Sequence, residues 1–378
     1  MLWLRRCSRL PAAPALILTL LAGSWACVHS AGSADSEAAQ AAITPKAPPP
    51  PGPRELADSA CKREDAAECL HLGHILLDSD VEIDRHRGAA LLDFQCLADF
   101  PEACAELAWF YARRTPPANA DAGQYAMQAC KLLEPMGCAL LAALMESGRG
   151  RVPDPVAAGS FYELACRNGP HPACQALARW RIGHPDLDAV DTDFLLPMLD
   201  ASCEAESAED CALAAALYRL AEGVPSATSL ARARLASACS LGLTAACSST
   251  APPPTPFPPD PVTLLDTARQ RATAQGTGTK VELSQTRERL EDLCRESTLA
   301  ACLLLADEAQ DQRRRAAALY DDACSLGHLP SCGLLGTWLY TGDGVPRDRD
   351  RGKALIREAC HGSVDAACDQ LEALGLHP

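Results

Sequence analysis

The stretch CHGSVDAAC, residues 360–368, holds two cysteines eight positions apart around a glycine. CSLGHLPSC (324–332) and CRNGPHPAC (166–174) repeat the spacing. Eighteen of the 20 cysteines in this chain of 378 residues fall into nine such pairs: Cys61 with Cys69, Cys96 with Cys104, Cys130 with Cys138, Cys166 with Cys174, Cys203 with Cys211, Cys239 with Cys247, Cys294 with Cys302, Cys324 with Cys332 and Cys360 with Cys368. The first members step by 35, 34, 36, 37, 36, 55, 30 and 36 residues, and a period near 36 marks a repeat protein. On an unbroken helix eight residues rise about 12 Å, whereas bridged Cα atoms lie within about 7 Å. The chain must therefore turn back inside each pair, which reads as a disulfide clamp across a helix-to-helix corner. "HGSVDAA", "SLGHLPS", "RNGPHPA" and "SLGLTAA" supply Gly, Pro or Ser for the turn. "KREDAAE", "EAESAED" and "RESTLAA" lack Gly and Pro, and there the turn is inferred from the period alone.

The flanks predict helices on both sides. Before the first cysteine, apolar or small residues recur at −1, −4, −5 and −8, as in Ala359, Ile356, Leu355 and Gly352, or Ala323, Tyr320, Leu319 and Ala316. That is one face of an amphipathic helix. After the second cysteine, Leu sits at +3 and Gly or Ala at +4: Leu72-Gly73, Leu107-Ala108, Leu141-Ala142, Leu177-Ala178, Leu305-Ala306 and Leu335-Gly336, with Ala214-Ala215 as a variant. A small residue at a fixed helical position lets a neighbouring helix approach closely. The fold class is all-α: a solenoid of helix-loop-helix repeats of about 36 residues. Each bridge closes a loop of about nine residues, worth roughly 2.6 kcal/mol by loop entropy, which offsets the thin core of a chain with only 4% aromatic residues.

Net charge is −15, and the first 26 residues carry Arg5, Arg6 and Arg9 with no acid. A chain that acidic repels nucleic acid and anionic lipid, so neither is an expected partner. "MLWLRRCSRL", the apolar "PAAPALILTLLAG" and the small residues Ser24 and Ala26 form a secretory leader over 1–26. Disulfides persist in the oxidising space beyond. Cys27, directly after the leader, resembles the acceptor of a bacterial lipoprotein signal; cleavage after Ala26 that leaves a free thiol fits the same letters. An acyl group on Cys27 would tether the protein without spanning the bilayer. Residues 27–54 are Ala-, Ser- and Pro-rich and read as an extended spacer. One repeat array is expected over 55–249 and a second over 262–378. Between them "SSTAPPPTPFPPDP" is incompatible with a helix, giving a Pro-rich insertion at 250–261. The 30-residue step reads as a repeat with a shortened interhelix loop.

The last unit, "CGLLGTWLYTGDGVPRDRDRGKALIREACHGSVDAAC", resembles a Sel-like repeat, a relative of the tetratricopeptide repeat. The residues that carry the likeness are Leu335-Gly336, Tyr340, Gly342, Gly344-Val345, Asp348, Lys353-Ala354, Ala359 and Gly362. "CALLAALMESGRGRVPDPVAAGSFYELAC" (138–166) matches well too. The added cysteine pair is similar to the disulfide-bearing subgroup known as the Helicobacter cysteine-rich proteins. Such a resemblance implies an α/α solenoid that binds a protein or peptide on its repeat surface. Members of that subgroup have also been labelled penicillin-binding or β-lactamase-like, which implies an enzyme as the alternative.

The residues offer little for that alternative. Serine β-lactam chemistry wants Ser-x-x-Lys with Ser-Asp-Asn and Lys-Thr-Gly partners. One Ser-x-x-Lys exists, Ser59 to Lys62, overlapping the first corner, and neither partner motif appears. His71 and His74 sit three apart on a predicted helix without a third ligand at metal-site spacing, so they read as solvated face residues. His171, His328 and His361 fall inside corners and read as polar loop residues. Thiol-disulfide exchange would want a Cys-x-x-Cys, which the chain lacks. Zinc would want cysteines two to four apart. No catalytic residue, metal or cofactor is expected. Trp109, Phe110, Tyr111, Phe161, Tyr162, Trp180, Trp338 and Tyr340 are expected mostly in the core.

Overall fold

Ala and Leu dominate the segments between corners, and both favour helix. The computed structural model describes residues 58–376 apart from 60, 63–64, 170, 188–193, 221–225, 249–260, 264 and 267–282. The leader, the spacer and Cys27 lie outside the described residues. Among the described residues the first array contains α1 (Ala66–Leu77), α2 (Glu82–Leu97), α3 (Pro101–Arg113), α4 (Asn119–Lys131), α5 (Pro135–Ser147), α6 (Pro155–Asn168), α7 (His171–Gly183), α8 (Leu195–Glu204), α9 (Ala208–Leu220) and α10 (Ala227–Ser240). After α10 the chain makes a 3-10 turn over Thr244–Cys247 where a regular repeat would start a helix. The second array is α11 (Leu283–Arg295), α12 (Leu299–Glu308), α13 (Arg313–Ser325), α14 (Leu329–Thr341), α15 (Arg349–His361) and α16 (Asp365–Ala373).

Every cysteine of the nine pairs is bonded to the one eight residues away. In the first array Cys61 joins Cys69, Cys96 joins Cys104, Cys130 joins Cys138, Cys166 joins Cys174, Cys203 joins Cys211 and Cys239 joins Cys247. In the second Cys294 joins Cys302, Cys324 joins Cys332 and Cys360 joins Cys368. The bridged Cα atoms are 4.4 to 4.8 Å apart, far closer than a continuous helix allows. At seven corners the residue three after the first cysteine is left-handed: Asp99, Leu133, Glu206, Gly242, Ser297, Gly327 and Ser363. The next N–H then donates five residues back, as from Glu134 to Ala129 O (2.9 Å), Thr298 to Leu293 O (2.9 Å) and Val364 to Ala359 O (3.1 Å). This Schellman closure satisfies the carbonyls left over at the helix end. Glu206 and Ser297 show that the corners without glycine make the same turn as those with it.

Within a repeat the two helices cross where their backbones nearly touch. A methyl group on Gly336 would lie 2.7 Å from Gly352 O, and one on Gly88 would lie 2.9 Å from Gly73 O. These glycines occupy the +4 and −8 positions, so the small residues serve close approach. The Leu and small residues at +3 and +4 are buried in every unit where the pattern occurs, from Leu72-Gly73 to Leu335-Gly336. In the two units with the fullest Sel-like pattern, Gly148 and Gly150, and Gly342 and Gly344, take left-handed conformations in the interhelix loop. Asp154 and Asp348 then cap α6 and α15, accepting from Ala157 N and Arg351 N at 3.0 Å. The shortened loop of the 30-residue step is the four residues 309–312 between α12 and α13.

The helices leaving the corners pack on one another in sequence: α1 on α3, α3 on α5, α5 on α7 and α7 on α9. They form one layer, and the helices entering corners form the other. The second array does not extend this stack from α10. Its α12 packs back on α6 and α4, in the middle of the first array.

Candidate functional site: the repeat layer and the joint between arrays

Three polar constellations among the described residues bear on function, each built by the repeats. The first is on the layer of α1, α3 and α5. Glu134, the N-cap of α5, accepts from Gly137 N. Burial, together with the charges of Glu102 and Glu106, pushes its carboxyl up to about 7 against the opposing pull of the backbone N–H groups. His74 of α1 lies 3.3 Å from Glu106 and 3.4 Å from Asp78. His74 is therefore part of an acidic face rather than half of a ligand pair with His71, which is exposed. Among the described residues, no cluster of His, Cys, Asp and Glu could hold a metal ion.

The second constellation ties α7 to α9. Asp210 is 1% exposed. Its carboxylate meets His171 Nε2 (2.8 Å) and accepts from Ser202 Oγ (2.6 Å) and Gln175 Nε2 (2.9 Å), while its N–H donates to Ser207 Oγ (3.4 Å). Burial alone would raise its pKa, but these hydrogen bonds hold it at about 2. The same contact with Asp210 raises the pKa of His171. His171 is thus a joint residue rather than a bystander in a loop.

The third is at the contact of the two arrays. His328, the N-cap residue of α14, meets Ser331 Oγ through Nδ1 (2.6 Å) and Asp154 Oδ2 through Nε2 (2.8 Å). The residue types are those of a Ser-His-Asp relay, but the ring is reversed: in a relay Nε2 faces the serine and Nδ1 the carboxylate. His328 is also only 5% exposed and Ser331 2%. A nucleophile that no substrate can reach does no acyl transfer. The carboxylate also caps α6, so the set acts as a clip between α6 and α14. Burial would raise the pKa of Asp154, but the hydrogen bond and charge of His328 bring it below the usual range. Nearby, Ala300 N donates to the buried Ser160 Oγ (2.8 Å), which satisfies a free N–H at the start of α12. Lys131 meets Asp307 at 2.7 Å, and Arg113 meets Asp266 at 3.8 Å. Leu164, Leu290, Leu293 and Leu304 lie in one apolar core that runs through both arrays.

Of the Ser59 and Lys62 pair, Lys62 is engaged by a carboxylate. Lys62 Nζ lies 2.5 Å from Asp58 Oδ2, one helical turn away. Trp109, Phe161, Tyr162, Trp180 and Trp338 are buried, whereas Phe110, Tyr111 and Tyr340 are half-buried. Tyr111 stacks on Tyr125, which donates to Asp93 (2.7 Å). None of the three constellations was marked by a local motif. Asp154 stands at the same repeat position as Asp348, which gives its capping role but not its second partner.

No protein-family model matches the chain, and no curated protein matches it. Among solved structures it is similar to a Sel1 repeat protein from Oxalobacter formigenes, at 18% identity, over 86% of this chain and 90% of that one, with a TM-score of 0.36. It is also similar to c5321, a protective antigen present in uropathogenic Escherichia coli strains displaying an SLR fold, at 14% identity, over 86% and 84%, with a TM-score of 0.32. The architecture rests on the chain's own elements: a helical repeat of Sel-like pattern in which a disulfide spans each of nine corners.

Proposed function

We propose that this protein is an exported, non-catalytic scaffold that binds a protein or peptide along its repeat surface in the bacterial cell envelope. The observation that carries this reading is the repeated covalent corner. Nine bridges at one repeat position fix the angle between successive repeats, and a helical-repeat layer held in this way is a preformed binding surface. Bridges of this number suit an oxidising compartment. Among the described residues no helix is long and apolar enough to cross a membrane. The domain plan that accompanies the proposal is a leader at 1–26, a spacer at 27–54, arrays at 55–249 and 262–378 and a Pro-rich insertion at 250–261, with Cys27 the candidate for acylation. The cluster of His74, Asp78 and Glu106 on α1 and α3 favours a partner with basic side chains.

The test is a crosslinking pull-down from envelope extract with the oxidised protein, using reduced and alkylated protein as the unfolded control. A partner that is captured by the oxidised form, lost on reduction and weakened by Glu106→Lys supports the scaffold. Penicillin turnover that Ser59→Ala abolishes would overturn it. Mass spectrometry of the mature N-terminal peptide reads acylation of Cys27 directly.

A further inference from the structure

The first repeat carries an apolar stripe that its later copies lack. On α2, Ile83 (68% exposed), Phe94 (72%) and Leu97 (77%) stand out into solvent. Counted from the first cysteine of each pair, Phe94 is position −2 and Leu97 position +1. Position −2 is Ser59, Gln128, Ala201, Ser237, Asp292, Asp322 or Glu358 elsewhere, and position +1 is polar in every other unit. The one other large apolar residue at −2 is Leu164 of α6, and it is buried. Leu164 lies one turn beyond Ser160, the residue that meets α12. Within this chain, then, a large apolar residue at −2 goes with a helix docked on that face. On α2 the equivalent positions, Ala90 and Phe94, are both exposed.

We propose that the missing occupant is a second copy of the chain, docked α2 against α2 about a two-fold axis at Ala90. The stripe is self-complementary about that residue. Ile83 and Leu97 lie seven residues to either side, so two antiparallel copies place Ile83 against the partner's Leu97. By helical rotation of 100° per residue, Arg87 and Phe94 fall on one flank of the stripe and His86 and Asp93 on the other. The two-fold sets Arg87 over the partner's Phe94 and His86 beside the partner's Asp93. One flank therefore pairs the Arg87 guanidinium with a ring face, and the other pairs an imidazole with a carboxylate. Ala90 at the axis leaves room for close approach. A helix of 16 residues is about 24 Å long. The interface is on the order of 1,000 Å², the low end for a specific complex, so association is concentration-dependent. A scaffold made two-fold in this way would present each repeat groove twice and bind by avidity. The proposal rests on α2 alone and does not depend on what the grooves hold.

The test is sedimentation velocity of the oxidised protein across micromolar concentrations. The expected result is a mass that rises with concentration to twice that of the chain and falls back to one chain in Phe94→Glu and Leu97→Glu. Val152→Glu, at a residue that is 83% exposed and away from α2, should leave the dimer intact. Ala90→Cys should give a disulfide-linked dimer under mild oxidation. The equivalent Ala233→Cys on α10 should not. Wild type that stays at one chain mass throughout, or a dimer that survives Phe94→Glu, overturns the proposal. Monomer that floats with phospholipid vesicles until Phe94 is replaced also overturns it, and assigns the stripe to a membrane.

Discussion

At the scale of single residues, the costly groups are those the repeats bury. Asp210 is buried with three side chains and its own N–H satisfied around it, so removing it leaves His171, Gln175 and Ser202 without their acceptor. Asp210→Ala is expected to cost about 3 kcal/mol in denaturant unfolding. The pH dependence follows from two opposite shifts. The lowered pKa of Asp210 gives stability that is present above the unfolded carboxylate value and is lost as pH falls through about 2. The raised pKa of His171 gives stability that is complete below its unfolded value, near 6.5, and is lost as pH rises through the folded one. Wild type should therefore be most stable, relative to Asp210→Asn, between about pH 4 and 6.5. The difference should shrink at pH 9 as His171 becomes neutral. A constant difference from pH 5 to 9 would show that the His171 charge contributes nothing.

At the scale of the element, the corner is the unit that repeats. Glu206 is exposed and left-handed at φ 69°, a conformation that costs an L-residue about 1 kcal/mol and glycine little. Glu206→Gly should raise stability by up to about 1 kcal/mol, less the entropy glycine regains on unfolding; a loss on thermal unfolding would mean that Glu206 makes a contact worth more than the strain. The double change Cys324→Ala and Cys332→Ala should cost about 2 to 3 kcal/mol by loop entropy. In hydrogen exchange its effect should reach the start of α6 as well as α13 and α14, because His328 inside this corner is bound to Asp154. These corners were legible because a fixed cysteine spacing is a geometric constraint that sequence displays directly. The left-handed turn in "EAESAED" and "RESTLAA" was legible only through the period, since neither segment holds Gly or Pro and the left-handed residues are Glu206 and Ser297. The stripe on α2 is absent from the repeat pattern for the opposite reason. The pattern at −1, −4, −5 and −8 describes the buried face, and Phe94 and Leu97 lie off it.

At the scale of the molecule, the decisive feature is the return of the second array onto α4 and α6. A period of about 36 residues fixes what a repeat packs on next, and says nothing of where a chain resumes after an insertion. The contacts that settle it join Ser160 to Ala300 and Asp154 to His328, across 140 and 174 residues of sequence. Sequence patterns of short range do not record such pairs. Their consequence is that the face of α4 and α6 is occupied within the chain. None of the nine disulfides crosses the joint, so it should open before the bridged repeats unfold. Leu164→Asp puts an unpaired charge on the buried face, and Ser160→Val removes the acceptor for Ala300 N. The double variant should keep its helical circular dichroism while its radius of gyration in small-angle scattering increases. Amides at the start of α12 should exchange faster, with those of α15 unchanged. Loss of helix together with expansion would instead mean that the two arrays fold as one cooperative unit, with the joint as part of its core.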